Sequence, residues 1–236
     1  MKSKTIKGYV LKTTAYQEDS LLIKVLTSDG LLTINGRHFQ KVSNKNRSLG
    51  YIFNLCEFNI AFGKGYPFIV NGNIINNGLA ILDDLSLYAL VSLVNDMIVS
   101  NHYQEDIWEQ YSNFYHHVLI NKVVSTTLLV KDLLNIYGVI PYVDGCYLCN
   151  SNLIVGISNE GGLVCSDCLG SNDLIFSKEI LKQFRAIIKL GYDHFDYLCD
   201  LNIDNKLLGL LVDYYQYHLS CHFKAYDFYK EVSNEK

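Results

Sequence analysis

The segment Cys146-Tyr147-Leu148-Cys149 is followed, after fifteen residues, by Cys165-Ser166-Asp167-Cys168. Two residues between paired cysteines let both sulfurs of a tight turn reach one ion at about 2.3 Å, and two such turns complete a tetrahedron. The length of the spacer lies in the range of zinc ribbons. The pattern therefore predicts one structural zinc ion, bound by Cys146, Cys149, Cys165 and Cys168 within an insert at residues 142–172.

Other interpretations of these cysteines are weaker. Two redox-active dithiols or four unrelated thiols are possible, but two pairs at this spacing seldom coincide. His218 and His222 lie four residues apart and are alternative ligands, although four cysteines already complete the coordination. Because four protein sulfurs leave no open position for water or substrate, the predicted site supports structure and performs no chemistry.

The composition of the 236-residue chain predicts a soluble cytoplasmic protein of one or two domains. Cys56, Cys199 and Cys221 are scattered, which indicates a reducing compartment without a disulfide framework. Residues 1–12 carry four lysines and lack the apolar run of a secretory signal. The most apolar predicted helix, at residues 85–99, is too short to cross a bilayer.

The two parts of the chain differ in charge. Residues 1–80 contain eight Lys and two Arg against four acidic residues, a net charge of +6. Residues 81–236 contain ten basic and twenty acidic residues, a net charge of −10. A zinc ion held by four thiolates would make the second part more negative still. Polyanions are therefore expected to bind the first part and to be repelled by most of the second.

Five short segments of alternating apolar residues predict strands at residues 6–13, 20–27, 31–35, 51–62 and 66–75. Turn residues such as Asp29-Gly30 and Gly63-Lys64-Gly65 supply the hairpins between them. Five strands in about seventy-five residues predict a small closed barrel, of which the OB-fold is the commonest nucleic-acid-binding form. The periodicity is equally compatible with an SH3-like barrel.

After residue 78 the apolar period changes from two to 3.6, which indicates helices. Asp83 or Asp84 is expected to cap the first, and residues 108–119 and 129–137 to form two more. Beyond the cysteines, residues 177–191 and 207–222 are expected to form the last two. The predicted fold class is α+β and multidomain. It has an N-terminal OB-fold β-barrel at residues 1–79, followed by an α-helical domain at residues 80–236 with the four-cysteine zinc insert.

The segment between the third and fourth predicted strands is basic and has no acidic residue between Gly30 and Cys56. Small amide and hydroxyl side chains separate its basic residues, as in loops that contact phosphates. Phe39, Tyr51 and Phe53 are candidates for stacking on bases. A solvated loop without a ligand is the alternative. The predicted DNA-binding residues are Arg37, Lys41, Lys45 and Arg47, with Lys64 in a secondary role.

Catalytic patterns are missing from the sequence. It contains no Walker-type phosphate loop, no dinucleotide fingerprint and no His-Glu metallopeptidase pattern. His116 and His117 are adjacent, so they point to different sides of their helix and cannot share a ligand. Asp83-Asp84 and Glu105-Asp106 lie at predicted helix starts and are better explained as caps than as an acid–base pair. The chain is therefore not expected to be an enzyme.

Several segments occur in a recognisable order along the chain. They are Gly8-Tyr9-Val10-Leu11 with Glu18-Asp19-Ser20-Leu21-Leu22, the basic loop that starts at Gly36, the run from Leu134 into the first cysteine pair, Glu160-Gly161-Gly162-Leu163-Val164-Cys165, and Tyr214-Tyr215-Gln216-Tyr217-His218-Leu219. In this order the chain resembles the bacterial RecO family of recombination mediators over its full length. The cysteine segment is the most specific part, and the acidic second half and sparse basic loop depart from the family pattern.

The resemblance implies an OB-fold joined to a helical domain that carries a structural zinc ion. It also implies binding of single- and double-stranded DNA and annealing of complementary strands. With RecR, such a protein would load RecA onto DNA coated by single-strand-binding protein, without a nucleotide. Its location would be cytoplasmic and nucleoid-associated.

Four basic residues fall at spacings of four, three and four on one predicted helix, so they line one side of it. They are Lys178, Lys182, Arg185 and Lys189. Single-strand-binding protein, the partner that the resemblance implies, has a short acidic tail with an apolar tip, which a basic row beside an apolar groove would complement. The four residues are the predicted partner-binding site, and an amphipathic helix that faces solvent is the alternative.

Two further functional classes fit parts of the sequence. A zinc-ribbon nucleic-acid adaptor of transcription or translation would explain the barrel and the cysteines, and would prefer structured RNA to single-stranded DNA. A metal-dependent hydrolase would need an open metal position or a second ligand cluster, and the sequence shows neither.

Overall fold

The computed structural model describes residues 3–100 and 107–234, which fold as two compact units. The first unit is Met1–Glu109 together with Phe223–Lys236, and the second is Gln110–His222. The boundary expected between residues 79 and 80 differs from this division. The reason is that helices from the later sequence pack within the same unit as the strands.

Five strands form the start of the first unit. They are β1 (Ser3–Tyr16), β2 (Ser20–Thr27), β3 (Gly30–Gly36), β4 (Leu55–Ala61) and β5 (Phe68–Asn76). They pair in the order β1-β2-β3-β5-β4, and β1 also pairs with β4, so the sheet closes on itself. The pairing of β3 with β5 is parallel and short, at Asn35 and Phe68, where the Asn35 amide donates to the Pro67 carbonyl at 2.8 Å.

The interior of the five-stranded sheet is apolar, as the alternation predicted. Its buried residues are Ile6, Val10, Ile23, Val25, Ile34, Phe39, Leu49, Cys56, Phe58, Ile60 and Ile69. The predicted fourth strand was too long at its start, since β4 begins at Leu55 rather than at residue 51. Phe53 has a left-handed backbone (φ 70°), and its amide donates to the Val10 carbonyl at 2.9 Å, so the chain enters the sheet from a turn.

Three helices complete the first unit: α1 (Leu79–Leu82), α2 (Leu85–Ser100) and α8 (Lys224–Asn234). The predicted cap is confirmed, because the Asp84 carboxylate accepts from the amides of Ser86 and Leu87 at 2.9 and 3.1 Å. α2 packs on β1, where the side-chain Nδ2 of the buried Asn95 donates to the Leu11 carbonyl at 3.0 Å. The expected caps Glu105 and Asp106 lie outside the described residues.

The last helix, α8, was not predicted. A single helix was expected at residues 207–222, but α7 ends at Leu219 because Ser220 adopts a left-handed conformation (φ 48°). The chain then turns and packs α8 against α2, with Phe223, Tyr226 and Tyr229 buried. This packing explains why the C-terminal segment belongs to the first unit.

The second unit is built from helices and a small sheet, and α3 (Trp108–His117) begins just before its first residue. Its other elements are α4 (Lys122–Ile136), β6 (Ile154–Ser158), β7 (Gly162–Cys165), β8 (Leu174–Ile175), α5 (Lys178–Lys189), α6 (Phe195–Asp200) and α7 (Asn205–Leu219). α4 packs against α5, α6 and α7. The helix expected at residues 108–119 is shorter than predicted, since α3 ends at His117, and Leu119 beyond it is exposed. Within the described residues, no helix has the length and apolar character to span a membrane.

Candidate metal centre and nucleic-acid interface

The four predicted metal ligands come together in the second unit. The sulfurs of Cys146, Cys149, Cys165 and Cys168 all lie within 4.8 Å of one another, and those of Cys149 and Cys165 are 3.5 Å apart. A tetrahedron with metal–sulfur distances of about 2.3 Å places its sulfurs about 3.8 Å apart. The cluster therefore has the dimensions and the donor atoms to hold one metal ion.

Backbone hydrogen bonds shape the first cysteine turn. The Cys146 amide donates to the Ser151 carbonyl, and the Asn150 amide donates back to the Cys146 carbonyl, both at 2.8 Å. Asn150 has a left-handed backbone (φ 60°), which reverses the chain directly after Cys149. The Tyr147 amide donates to the Leu163 carbonyl at 2.8 Å, so the first turn is tied to the strand that leads into the second.

The thiols of the cluster differ in acidity. Burial raises the pKa of Cys146, but hydrogen bonds from the backbone amides of Cys149, Cys165 and Leu148 outweigh it and lower the pKa to about 6. Hydrogen bonds with the Cys149 and Cys165 thiols raise the pKa of Cys168 to about 12. Cys146 is therefore ready to ligate as a thiolate, whereas Cys168 must release a proton when a metal binds.

The predicted DNA-binding loop is anchored by Phe39. Phe39 was expected to be available for base stacking, but its side chain is only 2% exposed and lies in the core of the sheet. A Cβ atom added at Gly36 would meet the Phe39 ring at 2.6 Å, so this position needs a residue without a side chain. At Gly50 the same contact would be 3.1 Å, which is tight. Phe53 is also buried, and of the three proposed stacking residues Tyr51 alone is exposed.

Three predicted DNA-binding residues meet in one cavity of about 710 Å³, named here the barrel groove. The groove is lined by Tyr16, Gln17, Glu18, Asp19, Ser20, Asn35, Arg37, His38, Lys41, Lys64, Gly65 and Tyr66. Arg47 lines a different cavity of about 470 Å³, together with Tyr51. Lys45 is exposed on the loop between Lys41 and Arg47. The structure therefore brings together Arg37, Lys41 and Lys64 but not all five residues.

Acidic and aromatic neighbours modify the cations of the barrel groove. The Asp19 carboxylate accepts from Lys41 Nζ at 2.7 Å and lies 2.8 Å from His38 Nδ1. These contacts, first that with Lys41 and then that with His38, lower the pKa of Asp19 and keep it ionised. The Arg37 guanidinium lies 3.5 Å from the centroid of the Phe68 ring, in a cation–π contact. The positions of Asp19, Tyr16 and Tyr66 in the groove were not predicted, because no motif distinguishes them from the other acidic residues and tyrosines.

Comparison with known proteins gives a consistent result. Residues 1–77 match the sequence model of the family described as "Recombination protein O N terminal". The chain is 24% identical to DNA repair protein RecO of Caldicellulosiruptor bescii, over 98% of this chain and 100% of that protein. It is 24% identical to RecO of Caldanaerobacter subterraneus subsp. tengcongensis, over 97% and 98%, and 22% identical to RecO of Bacillus cereus (strain B4264), over 68% of each.

The resemblance to the RecO family is confirmed. The alignments with the first two RecO proteins run through the cysteine cluster and the helices as well as the sheet. The barrel groove and the metal centre therefore both lie within the part of the chain that resembles RecO.

The four basic residues predicted to bind a partner lie on α5, in the same RecO-like region. Three of them, Lys178, Lys182 and Arg185, line a cavity of about 260 Å³ with the apolar side chains Ile154, Leu163 and Leu181. Arg185 Nε donates to the Val143 carbonyl at 2.8 Å, and Lys189 forms an ion pair with Asp144. The α5 cavity thus contains two lysines and one arginine, and Arg185 also has a structural contact.

Replacement of Phe39 tests its role as the anchor of the loop. Phe39→Ala should lower the free energy of unfolding by about 3–5 kcal/mol, because it leaves a cavity in the sheet core. Tyr51→Ala, at a half-exposed aromatic residue of the same segment, should change it by less than about 0.5 kcal/mol. Equilibrium urea denaturation measures both. Similar small effects in the two variants would contradict the anchoring role.

Proposed function

We propose that this protein is a recombination mediator in DNA repair. It binds and anneals single-stranded DNA and, together with RecR, helps RecA to load onto DNA coated by single-strand-binding protein. It acts in the cytoplasm, at the nucleoid, and catalyses no covalent step. The observation that carries this proposal is the similarity to DNA repair protein RecO over nearly the whole chain.

We also propose that the five-stranded sheet is an OB-fold used for nucleic-acid binding. OB-folds are five-stranded barrels that bind oligonucleotides with the loops between strands 1 and 2 and between strands 4 and 5. The barrel groove is lined by the β1–β2 turn (Gln17, Glu18 and Asp19) and by the β4–β5 loop (Lys64, Gly65 and Tyr66). The groove thus lies at the two loops that OB-folds use, with Lys64 in the β4–β5 loop, and this position supports an OB-fold over an SH3-like barrel.

The experiment that tests the mediator function is strand annealing. Two complementary oligonucleotides are each coated with single-strand-binding protein and mixed with this protein, with or without RecR, and duplex formation is followed by fluorescence resonance energy transfer. Annealing should be faster with this protein than without it, and RecR should change the rate. If coated strands anneal no faster, or structured RNA binds more tightly than single-stranded DNA, the adaptor interpretation is favoured instead.

We propose that the cysteine cluster holds one zinc ion. Cys146 and Cys165 are buried beside Val164, and the four sulfurs supply the soft, tetrahedral donor set that zinc prefers. A bound zinc ion would join the two cysteine turns and perform no chemistry. Because a metal site of this kind contributes binding free energy to folding, the metal should stabilise the second unit.

The zinc proposal predicts about one equivalent of zinc in freshly purified protein. Cys149→Ser should remove most of it and lower the unfolding temperature, since three thiolates hold zinc less tightly. Cys199→Ser, which removes a thiol outside the cluster, should leave the metal content unchanged. Metal analysis and thermal denaturation measure both effects. Zinc far below one equivalent in the wild type would overturn the proposal.

We propose that Arg37, Lys41, Lys45 and Arg47 provide most of the affinity for DNA, and that Lys64 assists. Four phosphate contacts on single-stranded DNA should give a slope of log affinity against log salt of roughly −3, at about −0.7 for each contact. Lys41 should contribute least of the four, because Asp19 already forms an ion pair with it.

Salt titrations of DNA binding test these residues. The variant with all four replaced by Ala should bind DNA weakly, with a slope of about −0.7 from the remaining Lys64 contact. Lys7→Ala removes one positive charge from an exposed position on β1 and should leave the wild-type slope unchanged. A quadruple variant with the wild-type slope would move the interface to another surface.

We propose that the acidic tail of single-strand-binding protein docks in the α5 cavity. Lys178, Lys182 and Arg185 surround an apolar floor, which suits a peptide with acidic residues and an apolar end. Lys189 completes the proposed basic row at the end of the helix, although its pairing with Asp144 reduces its contribution.

A tail peptide tests the α5 cavity. Lys182→Glu should weaken salt-sensitive binding of the peptide to the full-length protein by about tenfold or more, since a repulsive charge replaces an attractive one. Lys189→Glu, on the same helix but already paired, should have a smaller effect. Fluorescence anisotropy measures both, and equal affinities for wild type and Lys182→Glu would exclude this site.

A further inference from the structure

The barrel groove contains two tyrosines that the proposed DNA contacts do not use. Tyr16 is the last residue of β1, and Tyr66 lies just before β5. Both line the groove beside Arg37 and Lys64. The groove therefore combines aromatic surface with positive charge, which is the combination that binds single-stranded nucleic acid.

The two rings form an edge-to-face pair. Their centroids are 6.2 Å apart and their planes are perpendicular. In this arrangement the edge of one ring meets the face of the other, so most of the ring faces stay uncovered by the partner. Tyr66 is 48% exposed, although Tyr16 holds its ring in place. Such a ring offers a fixed surface for stacking at a low cost in conformational entropy.

The loop before Tyr66 determines where its ring lies. Gly65 has a positive φ of 94°, a conformation that other residues rarely adopt, and it lies between Lys64 and Tyr66. All three residues line the groove. The turn at Gly65 thus places a cation and an aromatic ring at the same cavity.

Two cations of the groove suit the phosphate of a nucleotide. The Arg37 guanidinium is held over the Phe68 ring, which fixes its position and leaves its donors available. Lys64 lines the same groove, so two cations are available to a phosphate beside the two rings.

From this geometry we infer that the barrel groove binds one unpaired nucleobase against Tyr66 and Tyr16, with a neighbouring phosphate on Arg37 and Lys64. Tyr66 is then the residue that makes the protein prefer single-stranded to double-stranded DNA. Bases in a duplex are stacked on their neighbours and cannot offer a face to the ring, whereas phosphates are available in both forms. The inference rests on the proposed DNA binding and adds the base-binding subsite to it.

Three DNA ligands of equal length separate the base from the phosphate. They are a labelled single strand, the same sugar-phosphate chain without bases, and the duplex, each titrated with full-length protein and followed by fluorescence anisotropy. Tyr66→Leu should weaken binding of the single strand by about 5- to 100-fold, the range that loss of one stacked base gives. It should leave the affinities for the abasic chain and the duplex nearly unchanged, and Tyr66→Phe should bind all three like the wild type.

Two control variants make the comparison specific. Tyr197 on α6 is 53% exposed, lies in the second unit and does not line the barrel groove, so Tyr197→Leu should leave the three affinities unchanged. Lys64→Ala removes a phosphate contact and should weaken all three ligands by a similar factor. Circular dichroism of each variant shows whether the fold is kept.

The outcomes distinguish this inference from the proposed function. Equal weakening of the single strand and the abasic chain by Tyr66→Leu, or the same pattern from Tyr197→Leu, would overturn the base-binding subsite and leave DNA binding intact. If wild-type protein binds none of the three ligands, the proposed function fails, and the subsite fails with it.

Discussion

Burial of the Phe39 side chain is the interaction on which the path of the basic loop depends. The loop between β3 and β4 is rich in polar and charged residues, and the apolar side chains that it buries are Phe39, Leu49 and Phe53. Phe39 places one large apolar group in the core of the sheet, and Gly36 and Gly50 give it room at either end. The charged residues around it are thereby held against the barrel and not left to sample many conformations. This reduces the ordering cost that a ligand would otherwise have to offset.

The cysteine cluster plays a corresponding role in the second unit. Residues 142–172 have several exposed apolar side chains, among them Leu148 and Leu153, and too little buried area to be stable by themselves. The four sulfurs join both ends of this segment through one point. The segment also packs on α5, where Arg185 contacts Val143, so the conformation of the cluster fixes one wall of the α5 cavity.

Sequence patterns predicted the elements better than the site. β2 has the predicted bounds, residues 20–27, because its alternation lies between two clear turns. The cysteine cluster was predicted because the spacing of the cysteines within and between the two pairs is enough to indicate a tetrahedral metal site. The burial of Phe39 was not predicted, because an aromatic residue in a basic loop gives the same sequence pattern whether its side chain faces a ligand or the core. α8 was not predicted because α7 ends at a left-handed residue, Ser220, and no glycine marks this turn in the sequence.

The groove could not be predicted for a related reason: it depends on which charges already have partners. A net charge of +6 for residues 1–80 treats all ten basic residues alike. In the folded unit Lys4 is paired with Asp29 and Lys41 with Asp19, so each meets a phosphate only in competition with a carboxylate. Arg37 is instead held by an aromatic ring, which orients the guanidinium without neutralising it. Within the described part of the chain, Lys45 and Lys64 have no acidic partner. The residues that matter most for an anionic ligand are therefore those whose position is fixed by apolar or aromatic contacts, because only these combine full charge with a defined place.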